Sequence, residues 1–322
     1  MERQICGRSS ETGNKLKTMK TVLLTGATGY IGQFAIRPLL AKGYAVHAVT
    51  SKSFGFENTD NLFWHQTNLL DTEETKILME TVRPTHLLHF AWYLEHGKNW
   101  NAVENLDWLQ ASLHLAKEFA RNGGKRMVVA GTCAEYDWRK ESPFEEYKTS
   151  LNSQTLYGMS KSTLGLTLEK FAEFSNFSFA SGRIFFLFGA NESPNRLVSS
   201  VIRTLLKNMP AKTSHGNQIR DFSYVEDVAE GMVALLESDV GGAVNVASGQ
   251  GIRIKEIVTE IAEIIGNPEL LEIGALNAPE NEPPEIVADI TRLQKEVGWQ
   301  RNSDLRKKLR ETVKWWRENY ES

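Results

Sequence analysis

Cysteine is nearly absent from this sequence: Cys6 and Cys133 are the only two in 322 residues, far apart and in different contexts. Such sparse thiols argue against a disulfide framework or a zinc site, and a reducing cytoplasm is the default location. No apolar run approaches the ~20 residues of a membrane span, so no membrane is expected as a partner. A long basic run is missing too, and the net charge is −3, which leaves no electrostatic footprint for nucleic acid. The polar stretch Met1–Thr18 lacks the apolar core of a signal peptide; a disordered leader is expected there, with Met19 as the natural start. Internal repeats and low-complexity segments are absent.

Hydrophobic residues make up 41% of the chain, enough for a large core. Short β-rich runs alternate with helical spacing from Thr21 onward. Strands are expected at Thr21–Thr25, Ala45–Thr50, Thr85–Ala91, Arg126–Ala130 and Ser178–Phe188. Helices are expected over Ile31–Lys42, after an Asp71 cap, over Asn101–Asn122, over Tyr157–Ser175 and from Ser303. This alternation predicts right-handed βαβ units, a doubly wound parallel sheet of the Rossmann type, and a smaller C-terminal α/β lobe. The expected division is 19–188 plus 222–249 for the dinucleotide half, and 189–221 plus 250–322 for the substrate lobe, where prolines break the pattern.

Gly26-Ala27-Thr28-Gly29-Tyr30-Ile31-Gly32 follows the first strand and opens a helix. The first glycine permits a tight turn, the second lets the backbone approach a pyrophosphate, and the third allows close helix–sheet packing, with the helix N-terminus facing phosphate. NAD enzymes usually carry an acidic residue at the end of the second strand for the ribose 2′-hydroxyl. Here the run is Val49-Thr50-Ser51-Lys52, with no carboxylate. Lys52 and the Ser51 hydroxyl suit a 2′-phosphate, so NADP is favoured over NAD. Asn68, after the third strand, is a candidate adenine contact.

Tyr157 and Lys161 stand four residues apart at a helix start, on one face. An ammonium beside a phenol lowers its pKa and makes it a usable acid or base. Thr132 follows the Arg126–Ala130 strand, where a hydroxyl can reach a substrate oxygen.

In this order, the motifs resemble the extended short-chain dehydrogenase/reductase family, in its nucleotide-sugar epimerase/dehydratase/reductase branch. Thr25–Gly32 is similar to that family's cofactor motif, His89-Phe90-Ala91 to its fourth-strand end, and Asn105 to its structural asparagine. Gly131–Tyr136 resembles the Ser/Thr segment, Tyr157-Gly158-Met159-Ser160-Lys161 the YGxSK motif, and Arg220–Val228 the RDFxxVxD segment. The resemblance implies that Tyr157 exchanges the proton, Lys161 binds the nicotinamide ribose, and Thr132 binds the reacting oxygen. It implies cofactor contacts from the glycine turn and Ala91. It implies a nucleotide-diphosphate sugar held by Arg220, Asn195 and Arg196, with Trp92, Tyr93, Cys133 and Glu135 facing the sugar. It also implies a homodimer. The same reading leaves Arg220 an alternative as an ion-pair partner of Asp221 or Asp227, and Cys133 and Glu135 alternatives as packing or structural residues.

Three departures shape the expected reaction. Dehydratases of this branch carry Asp-Glu directly after the catalytic Thr, where this chain has Cys133-Ala134. The cysteine base of the fucose-type epimerase-reductases sits two residues after the Ser/Thr, not one. The arginine that often precedes the segment equivalent to Val287-Ala288-Asp289 is missing from Glu280–Glu285. The missing dehydratase and cysteine-base groups, together with the basic second-strand end at Ser51-Lys52, favour NADPH-dependent reduction of a keto-sugar nucleotide, while the missing arginine bears on one pyrophosphate contact. An NAD-dependent epimerase is the alternative, and a non-catalytic NADP-binding sensor is a third reading that the intact Thr132, Tyr157 and Lys161 oppose.

Overall fold

The computed structural model describes residues 20–53, 55, 57–278, 280, 282–301 and 304–319. The expected leader, the Met19 start, Cys6 and the Ser303 helix start lie outside them. The first half alternates as expected: β1 (Thr21–Thr25), α1 (Gly32–Ala41), β2 (Ala45–Thr50), β3 (Leu62–Gln66), α2 (Thr72–Val82), β4 (His86–His89), α3 (Glu104–Arg121), β5 (Arg126–Thr132), α4 (Leu156–Glu173) and β6 (Ser178–Ile184). Later come β7 (Phe186–Phe188), α5 (Leu197–Leu206), β8 (Ala211–Thr213), β9 (Ile219–Tyr224), α6 (Val225–Glu237) and β10 (Gly242–Val246). The chain ends with β11 (Gly251–Arg253), α7 (Ile254–Ile265), β12 (Leu271–Ile273), β13 (Glu285–Ile286), α8 (Thr291–Lys295) and α9 (Leu305–Glu318).

A seven-stranded sheet runs in the order β10-β6-β5-β4-β1-β2-β3, and every pairing in it is parallel. Both faces are covered, so its strands are apolar on both sides. On β1, Val22 and Leu24 pack with Val228 and Met232 of α6, while Leu23 packs on the other face with Met79 of α2 and Leu115 of α3. The chain winds one way from β1 to β3 and the other way from β4 to β10. The reversal lies between β1 and β4, and in open α/β sheets a crevice forms there at the strands' C-terminal ends. This is a Rossmann-type doubly wound fold.

The strand expected over Ser178–Phe188 is divided. β6 stays in the large sheet, whereas β7 pairs with β9 in a second, four-stranded sheet with β11 and β13. The chain crosses at Phe185, which is buried among Cys133, Tyr136 and Phe144 between the two sheets. Behind the second sheet, α5, α7 and α9 bury Ile202, Ile257, Ile261 and Val313 against Phe222 and Tyr224. Among the described residues no helix is long and apolar enough to cross a membrane, and no cluster of three or more His, Cys, Asp or Glu could hold a metal ion.

Candidate active site

The glycine turn lies at the reversal of the sheet. Gly26 has φ +66, and a Cβ there would stand 2.8 Å from the Ala91 amide nitrogen. At Gly32 a Cβ would fall 2.1 Å from the Gly26 carbonyl oxygen. These positions admit only glycine if the turn is to stay this tight. Among Thr28, Gly29, Tyr30 and Ile31, the Gly29 amide closes the turn on the Gly26 carbonyl at 2.9 Å. The first turn of α1 has no side-chain cap and no acidic residue, so nothing from a side chain competes with a phosphate for its amides. Such a cradle fits a dinucleotide diphosphate.

Neighbouring strand ends brace it. His89 accepts or donates at 2.7 Å to the Thr25 hydroxyl and at 2.9 Å to Ser112, and burial lowers its pKa to about 3, so the ring is neutral. The Thr50 hydroxyl is tied to Thr28 at 3.0 Å and accepts from the Lys52 amide at 3.2 Å. Ser51 and Lys52 are exposed. Ser51 and Asn68 line one cavity of about 660 Å³, bounded by Gln66, Thr67 and the Glu74 and Leu78 side of α2. Asn68 is held in place by its amide, which donates to Glu74 at 2.7 Å.

Thr132 ends β5, and its hydroxyl accepts from the Ala134 amide at 3.2 Å. Thr155 caps α4 by accepting from the Gly158 amide at 3.1 Å, which sets Tyr157 in the first turn. A Cβ on Gly158 would meet the Ala134 carbonyl oxygen at 2.2 Å. The glycine therefore lets the start of α4 pack closely against the turn that follows β5 and Thr132. The Tyr157 ring also meets Trp100 edge-on, with centroids 5.9 Å apart.

The Lys161 ammonium donates to the Ala130 carbonyl at 2.9 Å and lies 3.8 Å over the Trp92 ring. Burial lowers its pKa to about 7, with Glu135 pulling the other way. Burial pushes the Tyr157 phenol well above its ordinary range, against the opposing pull of the nearby Thr132 hydroxyl. The phenol is therefore protonated at neutral pH, which is the form that can give up a proton.

Several expected sugar contacts are engaged elsewhere. The Trp92 indole donates to Asn105 at 2.8 Å and is buried under Lys161. Asn105 in turn donates to the Asn99 and Ala102 carbonyls, as a structural asparagine does. Glu135 accepts from the Thr132 amide at 2.8 Å and from Arg183 at 2.8 Å, fully buried. That is a brace for the segment carrying Thr132, with both oxygens engaged by the protein. Cys133 is buried in the apolar seam between the sheets, and burial raises its thiol to about 12, so it is no base. Tyr93 is half-buried and donates to Glu95 at 2.8 Å.

On the other wall, Asn195 is exposed and Arg196 half-buried just before α5. Arg220 is buried, at 3% exposure. Its partner is neither Asp221 nor Asp227 but Glu282, at 2.8 Å. Asp221 instead accepts from the amides of Ser248, Gly249 and Ala288. Sequence reasoning missed Glu282, and its only signal was a carboxylate in the segment where an arginine was sought. It also missed Glu192, buried near Tyr30 and Arg196, whose carboxyl burial raises to about 8.

A phosphate cradle at the sheet's reversal, with Thr, Tyr and Lys gathered at the ends of β5 and α4, defines an enzyme of the short-chain dehydrogenase/reductase type. The family model for the NAD dependent epimerase/dehydratase family matches residues 22–247, and the chain belongs to that family. It is 25% identical to a UDP-glucuronate 4-epimerase of Thermodesulfobacterium geofontis, across 93% of this chain and 97% of that one. A UDP-glucose 4-epimerase of Neisseria meningitidis serogroup C is also 25% identical, across 92% and 97%. Among solved structures, a UDP-glucose 4-epimerase of Thermotoga maritima with UDP-glucose superposes with a TM-score of 0.83 at 20% identity, over 93% of this chain and 99% of that chain.

Proposed function

We propose that the protein is an epimerase of nucleotide-diphosphate sugars that retains its NAD. The carrying observation is the placement of Tyr157 in the first turn of α4, packed against the turn that follows Thr132, at the sheet end that also carries the glycine cradle. The glycine turn from Gly26 to Gly32 would hold the dinucleotide, which would supply reversible hydride transfer at a sugar carbinol carbon. Tyr157 gives the proton to the ketone oxygen in the reducing half. In the oxidising half its phenolate takes that proton from the hydroxyl, and Lys161 in its charged form is the residue that would stabilise the phenolate. Thr132 orients the same oxygen.

Arg220, Arg196 and Asn195 would hold the diphosphate and nucleotide, because a guanidinium suits a bidentate phosphate contact. The sequence-based order of preference, reductase before epimerase, is reversed here. Support comes from the family and from the curated relatives at 25% identity, which are 4-epimerases. Phe186–Phe188 and Phe222–Tyr224 are assigned to the substrate half, since β7 and β9 pair in the second sheet. A homodimer through α3 and α4 belongs to the proposal, supported by exposed Leu106 and Leu166 on those helices. A cytoplasmic location is proposed on the cysteine content alone.

A second reading, NADPH-dependent reduction of a keto-sugar nucleotide, is favoured by one observation. Ser51 and Lys52 stand exposed at the end of β2 with no carboxylate beside them in the sequence. Incubation with UDP-glucose and UDP-glucuronate, followed by proton NMR, separates the two. Epimer formation without net cofactor consumption supports the epimerase. Stoichiometric NADPH oxidation, requiring a 4-keto-sugar nucleotide, supports the reductase.

A further inference from the structure

Arg220 is the buried cation of the substrate wall, and the structure already supplies it with an anion. Its Nη2 donates to Glu282 Oε1 at 2.8 Å and its Nη1 to the Ile219 carbonyl at 2.8 Å. The other Glu282 oxygen accepts from Gln218 at 2.5 Å. Arg220 has 4% side-chain exposure, but Glu282 has 25%. The cation is thus fixed in a strand, while its anion reaches in from the loop between β12 and β13. That loop is pinned by the Ile219 amide, which donates to the Pro284 carbonyl, and earlier by the Leu276 amide, which donates to the Thr213 carbonyl. Asp221 does not share the role, because its carboxylate is turned toward the Ser248 and Gly249 amides.

A guanidinium buried to this degree needs a counter-charge when no ligand is bound. A carboxylate on a loop meets that need and can be exchanged. We propose that Glu282 is a displaceable internal anion that occupies Arg220 in the unliganded enzyme and sets its affinity for the diphosphate of the substrate. The proposal rests on the nucleotide-diphosphate reading above. When a diphosphate takes the guanidinium, Glu282 must withdraw or remain beside it as a like charge. In either case its charge weakens the grip on the diphosphate and leaves the nucleoside untouched.

Glu282→Gln keeps the shape: its amide oxygen can still accept from Arg220, and its NH2 can donate to the unpartnered Gln218 Oε1 once that amide turns over, so the main loss is the charge. Calorimetric titration of the NAD-loaded protein with UDP, dTDP, CDP and GDP, and with the matching nucleosides, reads the effect. The expected result is about tenfold tighter binding of the preferred diphosphate in Glu282→Gln, with nucleoside affinity unchanged. In an Arg220→Gln background the same substitution should tighten the diphosphate by much less. Equal or weaker diphosphate binding in Glu282→Gln overturns the inference while leaving the nucleotide reading intact. So does a parallel change for the nucleosides, which marks Glu282 as a structural brace. If neither protein binds any nucleoside diphosphate, the nucleotide-diphosphate reading falls and this inference with it.

Discussion

Gly32→Ala tests the cradle on a distance. The added methyl would stand 2.1 Å from the Gly26 carbonyl oxygen and 2.9 Å from its carbonyl carbon. A carbon–oxygen contact of ordinary length is about 3.3 Å, so turn and helix must separate by roughly 1 Å. The obstacle is backbone, and no flexible side chain can yield in its place. The amides at the start of α1 then lose their common aim. Losing one hydrogen bond to a charged phosphate costs about 1.5–3 kcal/mol, or roughly ten- to hundredfold in affinity. Fluorescence titration with NAD and NADP should show that loss in Gly32→Ala. Gly165→Ala is the control. Its methyl would meet the Ser181 hydroxyl oxygen at an ordinary 3.7 Å, and helix propensity should stabilise it by up to ~1 kcal/mol. Unchanged dinucleotide affinity in a folded Gly32→Ala protein would refute the assignment of the turn as the phosphate cradle.

Other consequences follow from charge. Burial raises the Glu192 carboxyl from 4.5 to about 8. Between those values the unfolded chain has released the proton and the folded chain still holds it, so stability falls as pH rises through this window. Urea denaturation at pH 5 and pH 8 should show the wild type losing a few kcal/mol relative to Glu192→Gln, and a gain would contradict the placement of that group. Lys52 is exposed, so its contact with a 2′-phosphate would be screened. Lys52→Ala should weaken NADP by about two- to fivefold and leave NAD unchanged if the second reading holds. Equal effects on both cofactors, or none, would remove the observation favouring NADP.

Local chemistry explains what the sequence made legible. The turn of Gly26, Gly29 and Gly32 follows from the close approach of backbone to backbone. Asp71 was readable as a cap, and it accepts from the Glu73 and Glu74 amides at 2.9 and 3.0 Å. The spacing of Tyr157 and Lys161 followed from helix geometry. Direction and partnership were less readable, because contacts distant in sequence decide them. Arg220 meets a residue 62 positions away in place of its neighbour Asp221. Glu135 turns inward because Arg183, on β6, reaches it. Lys161 faces the Ala130 carbonyl and the Trp92 ring, partners that no helical spacing reveals. The crossing at Phe185 was hidden because a continuous apolar run looks the same whether it stays in one sheet or enters another.

Tyr157→Phe tests the central claim most directly. The substitution removes only the hydroxyl; the edge-on contact with Trp100 and the hydrogen bond that the Tyr157 amide donates to the Trp100 carbonyl remain. Turnover of UDP-glucose, UDP-glucuronate and 4-keto-sugar nucleotides should be measured by proton NMR and by reduced-nicotinamide absorbance. A folded, dinucleotide-binding Tyr157→Phe protein should lose about 10²–10⁴-fold in kcat on whichever substrate the wild type turns over. Retention of wild-type turnover on that substrate would contradict proton transfer by Tyr157, and with it the account of the site.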